Sequence, residues 1–383
     1  MKGPQLVGRR VPFMDLGAQH RPLSAALTDA FERVLQHGRF VLGPEVAEFE
    51  ANCAALLGVP HAVGVSSGSD ALVVALLALG VGPGDEVITT PFTFFATVES
   101  ILRVGASPVF VDIDESTMLL DVKRVEAACS ERTRVVLPVH LFGQLVDMDP
   151  LRQLCDRRGL WLVEDCAQAF GARRAGFAAG AVGDLGCFSF FPAKPLGGFG
   201  DGGLVTCRAP ALAERVRALR VHGALSVHEH EHLGGNFRLD ALQAALLGVK
   251  LPHLLAYNRA RRERAAVYSA CFAALNLAGD RLIWPAVADV ADAHVFSQYT
   301  VRVQDRTALR HHLGERGVDT AVYYPRPAHL QPCLAGDGYE VGDYPVAELA
   351  ARQVLSLPIY PELPLEDVRY VADCVRSWLL KGP

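Results

Sequence analysis

An alternation restricts the fold of this chain more than any single motif. Short apolar runs at 62–66, 86–90, 108–112, 135–139, 160–164, 187–191 and 203–207 are separated by helical patterns such as 70–79, 96–104 and 150–158. Runs of strand length between helices predict an α/β architecture, with a mostly parallel sheet covered on both faces. From about Leu254 a long helical pattern, HLLAYNRARRERAAVYSACFAAL, leads away from that sheet. Beyond it, segments at 298–303, 308–316, 320–324 and 364–380 read as a smaller α+β unit. With 383 residues against a soft norm of about 150 per domain, two domains are expected. The boundaries are a large domain over 1–253 and a linking helix with a small C-terminal domain over 254–383, the N-terminal segment packing with the latter.

Composition excludes several classes. The longest apolar run, Ala71 to Gly82, is far short of the ~20 residues of a membrane span, and no basic and apolar leader opens the chain. A cytoplasmic protein with no membrane partner is expected. A net charge of −5 with interspersed signs gives no footprint for nucleic acid. Nine cysteines without a C-x-x-C pair fit neither a disulfide framework nor a zinc ribbon, and read as small buried hydrophobes.

Two stretches match well-known patterns without their context. In SFFPAKPLGGFGDGG, Gly198, Gly200 and Gly203 spell G-x-G-x-x-G. A dinucleotide cradle needs a helix after the glycines, and here Leu204-Val-Thr-Cys207 reads as a strand. In VHEHEH, His228 to His232 match H-E-x-x-H, which binds zinc only on a helix. Gly234 and Gly235 follow at once, so a solvated loop without metal is expected there.

In an open parallel sheet, ligands sit beyond the carboxyl ends of the strands. After the first apolar run comes Ser67-Gly68-Ser69-Asp70 and a helix, a turn that suits a phosphate or serves as a plain N-cap. Leu160-Trp-Leu-Val163 ends in Glu164-Asp165. A carboxylate there either caps a helix or keeps a heterocyclic nitrogen protonated. The run 187–191 delivers Lys194, and Pro195 after it disfavours the α region, so the side chain is aimed from an extended or turn backbone. A phosphate-type turn, an aspartate at a strand end and a lysine are together the parts that pyridoxal 5'-phosphate requires.

The chain resembles the DegT/DnrJ/StrS family of pyridoxal-phosphate-dependent nucleotide-sugar aminotransferases. The resemblance runs through GRFVLGPEVAEFE, GSDALVVALLALGVGPGDEVITTPFTFFAT, PVFVDID, PVHLFGQ, VEDCAQAFGA, FSFFPAKPLGGFGDGG, NFRLDALQAALL, YYPRPAHLQP and LSLPIYPEL. It implies the type I aminotransferase fold, with a mixed, mostly parallel seven-stranded sheet. It also implies a role for each matching residue. Lys194 carries the cofactor as a Schiff base and Asp165 faces its ring nitrogen. Gln168 lies near the ring hydroxyl and Phe94 stacks on the ring. Gly68, Ser69 and Ser189 hold the phosphate, joined by Asn236 from the partner of a homodimer. Arg238, Tyr324 and His329 approach the sugar. Ser69 stands where relatives often have threonine, and Tyr323 where many have histidine.

The resemblance implies ping-pong transfer of an amino group from glutamate to a nucleotide-linked keto sugar for surface polysaccharide or glycoconjugate synthesis. The expected acceptor is a UDP-linked 3-keto sugar such as a 2-acetamido-3-keto-glucuronate, whose carboxylate suits Arg238 or Arg326. A dTDP- or UDP-linked 4-keto sugar is the alternative. Lys194 argues against a sugar dehydratase, where histidine replaces the lysine. A non-enzymatic regulator is the remaining rival, and no basic helix-turn-helix supports it.

Overall fold

A computed structural model describes residues 9–226, 228–275, 281–285 and 292–381. Seven strands form the main sheet: β1 His61–Val65, β2 Glu86–Thr89, β3 Ser107–Phe110, β4 Thr133–Val136, β5 Trp161–Asp165, β6 Leu185–Ser189 and β7 Gly203–Cys207. Their spatial order is β1-β7-β6-β5-β4-β2-β3. β7 runs antiparallel to both neighbours, and the remaining pairs are parallel. The parallel strands are buried almost throughout, which is why they read as continuous apolar runs rather than as alternation.

The antiparallel strand has a consequence for the site. Register pairs Gly203 at the start of β7 with Ser189 at the end of β6 and with Val65 at the end of β1. Three loops therefore meet on one rim. They meet closely enough to demand glycine: a Cβ on Gly203 would lie 2.3 Å from the Ser67 carbonyl oxygen, and one on Gly68 would lie 2.5 Å from Ser189 Cβ.

The helix Gly68–Ala78 starts where the chain leaves β1, because Ser67 is extended and its Oγ accepts from Asp70 N–H at 3.0 Å. Its apolar positions Leu72, Val74, Ala75 and Leu76 are almost wholly buried between sheet and neighbouring helices. Each large aliphatic side chain so buried contributes roughly 1.5–3 kcal/mol. The same packing fixes the direction in which the first helical turn points.

Beyond Leu254, the helix Leu254–Ala273 leads to a two-stranded antiparallel sheet, Tyr299–Arg302 with Val354–Leu357, and to the helix Leu365–Lys381. Their side chains form a core of their own, which Val11 joins; Val11 N–H donates to the Gly317 carbonyl at 2.9 Å. The segment 320–324 makes one bridge, Ala321 to Ser356, rather than a strand. The His228–His232 run is also not the plain loop that was expected. Glu229–His230 pairs with Ala224–Ser226 as a short exposed hairpin, and Val227 lies outside the described residues. No helix among the described residues is long and apolar enough to cross a membrane.

One buried cation braces the loop that carries Lys194. Lys250, fully buried at the end of the helix Ala241–Lys250, donates to the Gly197 carbonyl and lies 3.4 Å from His20 Nε2. Burial pushes its amine down to about 8, with Arg261 adding to the effect and Glu362 opposing it. Between that value and 10.5 the folded chain binds fewer protons here than the unfolded one, so this group adds stability as pH rises through that window. Compared with Lys250→Met, the wild type is expected to gain about 3 kcal/mol from pH 8 to pH 10.5 in denaturant unfolding. Parallel profiles for the two proteins would contradict it.

Candidate active site

A cavity of about 400 Å³ opens at the carboxyl end of the sheet. Gly68, Ser69, Phe94, Asp165, Gln168, Ser189, Lys194 and Tyr324 all line it. Eight of the singled-out residues, from five separate stretches of sequence, are thus brought to one place. Asn236, Arg238 and His329 are not in its wall. The 236–238 segment bridges to Val221 and Val65 and its Phe237 carbonyl accepts from Ser66 N–H at 2.9 Å, so it runs beside the rim, with Asn236 exposed. His329 is 2% exposed and packs away from the cavity, its Nε2 3.3 Å from Glu348 and its ring against Phe110 and Tyr344. The sequence could not show this, since the 3-10 turn Ala328–Leu330 turns the imidazole inward. Arg238 and Arg326, the expected partners of a uronate carboxylate, do not line the cavity either; Lys194 is its one cationic lining residue among those described.

Asp165 closes β5 and is 5% exposed. Its Oδ1 accepts from Ala167 N–H at 3.1 Å and its Oδ2 from Thr97 Oγ1 at 2.9 Å. Burial pushes its carboxyl above the usual range, against the two donors and the positive charge of Lys194. No lysine or arginine forms an ion pair with it among the described residues, so the carboxylate is one whose charge awaits a cation. Lys194 shows the mirror effect: burial pushes its amine down and Asp165 opposes the shift. Its ammonium makes no hydrogen bond or ion pair within the described residues, which leaves it free to react.

Neighbouring side chains hold these groups in place. Glu164, next to Asp165, is buried and accepts from Gly180, Val182 and Gly183 N–H at 3.0, 2.9 and 2.6 Å, and from His140 Nε2 at 2.8 Å. Burial opposes its charge, but His140 and the backbone donors outweigh that and hold it below the usual range. His140 Nδ1 accepts from Val146 N–H, so its proton sits on Nε2. Glu164, His140 and Cys166 come within 4.8 Å of one another, yet both His140 nitrogens and the carboxylate are already committed to hydrogen bonds, so the cluster braces β5 rather than holding a metal.

Gln168 spans the cavity wall. Its Oε1 accepts from Phe142 N–H at 2.5 Å and its Nε2 donates to Tyr324 Oη at 3.1 Å. Tyr324 in turn lies 6.0 Å, ring centre to ring centre, from the half-exposed Phe94. Tyr323, which stands where many relatives have histidine, also lines the wall, as do Thr93, Phe191, Asp201 and Gln298, which the sequence did not point to. Gln298 Oε1 is buried without a donor, as a site awaiting one would be.

The residues present fit pyridoxal 5'-phosphate. The first-turn N–H groups at Gly68 and Ser69, with no helical acceptor, and the hydroxyls of Ser69 and Ser189 form a donor set for an anion. The missing Cβ at Gly68 lets the Ser189 loop approach this turn, and the buried carboxylate and desolvated amine lie in the same cavity.

Comparison with known proteins agrees. A dTDP-3-amino-3,4,6-trideoxy-alpha-D-glucose transaminase of Streptomyces venezuelae is 48% identical, over 96% of this chain and 96% of its own. A UDP-N-acetyl-3-dehydro-alpha-D-glucosamine 3-aminotransferase of Acidithiobacillus ferrooxidans is 43% identical, over 96% and 98%. The crystal structure of S. venezuelae DesV in complex with a ketimine intermediate superposes with a TM-score of 0.93 at 48% identity, over 96% of this chain and 98% of that one. The fold is that of the type I aminotransferases. Residues 23–376 match the DegT/DnrJ/EryC1/StrS aminotransferase family, and the chain belongs to it.

Proposed function

We propose that this enzyme moves an amino group from glutamate onto carbon 3 of a keto sugar linked to a nucleoside diphosphate. It is a sugar aminotransferase with pyridoxal 5'-phosphate as cofactor. The observation that carries the reading is the convergence of Lys194, Asp165 and the Gly68–Ser69 helix start on one cavity. When bound, the cofactor supplies a carbonyl that carries nitrogen and a ring that withdraws electrons. Lys194 would hold it covalently and would serve as the base that moves a proton at the substrate carbon, a role that its burial-lowered proton affinity fits. Asp165 keeps the ring nitrogen protonated. Gly68, Ser69 and Ser189 would bind the phosphate, Phe94 would stack on the ring, and Gln168, bonded to Tyr324, would lie near the ring hydroxyl. Asn236, exposed beside the rim, completes the phosphate site of a partner subunit in a homodimer.

Carbon 3 is supported by the names of the two transaminase relatives, which both place nitrogen there, one on a dTDP sugar and one on a UDP sugar. A neutral sugar fits the wall better than a glucuronate, because no arginine lines the cavity among the described residues. The test is amine transfer from glutamate over UDP- and dTDP-linked 3-keto and 4-keto sugars and a UDP-3-keto-glucuronate, with products read by NMR. Nitrogen at carbon 3 of a neutral sugar is the expected result. Nitrogen at carbon 4, or preference for the glucuronate, would overturn the assignment.

A further inference from the structure

Asp165 Oδ2 is held by a hydroxyl from outside the cavity. Thr97 is wholly buried and absent from the cavity wall, yet its Oγ1 lies 2.9 Å from Asp165 Oδ2 and 2.9 Å from Thr93 Oγ1. Thr93 lies in the loop just before the helix Ala96–Arg103 and Thr97 in its first turn, and the loop brings their hydroxyls together. Each hydroxyl carries one proton. An ionised Asp165 accepts only, so Thr97 gives its proton to Asp165 and must itself accept from Thr93. With the carboxylate charged, the chain thus runs Thr93 to Thr97 to Asp165.

We infer that Thr97 is a positioning residue for Asp165: its hydroxyl, set in direction by Thr93, fixes the carboxylate plane and favours the ionised form that the cofactor's ring nitrogen needs. The inference rests on the proposed role of Asp165. It follows from the fold rather than from the cavity. With Oδ1 tied to Ala167 N–H and Oδ2 to Thr97, the carboxylate cannot swing, and the lone pairs left over face the cavity that Asp165 lines. A methyl group in place of the Thr97 hydroxyl would leave the same volume but free Oδ2 to rotate and to take up a proton.

The test compares wild type, Thr97→Val and Thr97→Ser as apoproteins, titrated with pyridoxal 5'-phosphate by absorbance and then followed in single turnovers with glutamate. Thr97→Val is expected to weaken cofactor binding about tenfold and to slow the single turnover by about 10- to 100-fold, the range for losing a hydrogen bond to a charged group. The KM for glutamate is expected to stay unchanged, and Thr97→Ser to remain within about threefold of wild type in every reading. Wild-type binding and rate in Thr97→Val would overturn the inference. Loss in Thr97→Ser equal to that in a folded Thr97→Val would do so too, since it would assign the effect to packing of the methyl group. If Thr97→Val does not fold, Thr93→Val decides: a slowed single turnover is expected, and an unchanged one overturns the proposal. A wild type that takes up no cofactor would fail the function reading itself, a result the wild-type titration alone reveals.

Discussion

Lys194→Ala is expected to abolish amino transfer, by about 10⁴-fold or more, while leaving the protein folded. The size follows from the two tasks proposed for Lys194 at one atom, covalent attachment and proton movement. A free hydroxide or water replaces neither at that position. Retention of fold follows from the structure: the ammonium makes no hydrogen bond or ion pair among the described residues, and burial makes its charge a cost rather than a support. The melting temperature of the apo variant should therefore match or exceed that of wild type. Borohydride reduction of the wild-type holoenzyme followed by peptide mapping is the direct measurement. A pyridoxyl label on Lys250, or on any lysine other than Lys194, would overturn the assignment, as would residual turnover in Lys194→Ala above the rate without protein.

Much of this site was legible because parallel strands end where ligands sit. Reading the residue after each apolar run pointed to Ser67–Ser69, Asp165 and Lys194, and all of these line the cavity. The strand 203–207 was placed to the residue, since its apolar, β-branched stretch lies between glycines and a charged turn. Other strand ends differ from the apolar runs: β4 stops at Val136, although the equally buried Leu137 and Val139 still bond to neighbouring strands, and β5 runs on to Asp165. What sequence could not show is which side chains meet across long separations. Thr97 and Asp165 are 68 residues apart, and nothing in TPFTFFAT distinguishes a hydroxyl that supports a carboxylate from one that caps a helix. His329 failed for a related reason: its segment passes near the site, but a short 3-10 turn reverses the side chain toward Glu348.

The two neighbouring acids at the end of β5 show how the strand divides labour. Side chains alternate across a sheet, so Glu164 and Asp165 must face opposite ways. Glu164 is saturated by three backbone N–H groups and His140, which fixes the strand end and the 180–183 turn. Asp165, with only two donors, keeps acceptor capacity for a ligand. One carboxylate is structural because its partners are all in the chain, and the other is free for the role proposed for it because they are not.

That difference defines the second large effect. Asp165→Asn keeps the shape of the side chain and an oxygen for the Thr97 hydroxyl, but removes the negative charge. An opposite charge in contact with a heterocyclic nitrogen shifts its proton affinity by roughly 1–3 units, so the electron-withdrawing, protonated ring becomes a minor species without it. The single-turnover rate with glutamate is expected to fall about 10²- to 10³-fold, while the phosphate contacts proposed at Gly68, Ser69 and Ser189 would keep the cofactor bound. Folding should not suffer. Burial raises the carboxyl's folded value above 3.8, so as pH rises through that range the charged group costs stability, and the neutral amide avoids the cost at pH 7. The apo variant should therefore melt no lower than wild type. Cofactor titration, melting and single-turnover kinetics on the same preparation separate these expectations: a bound cofactor, an undiminished melting temperature and a wild-type rate together would remove Asp165 from the chemistry.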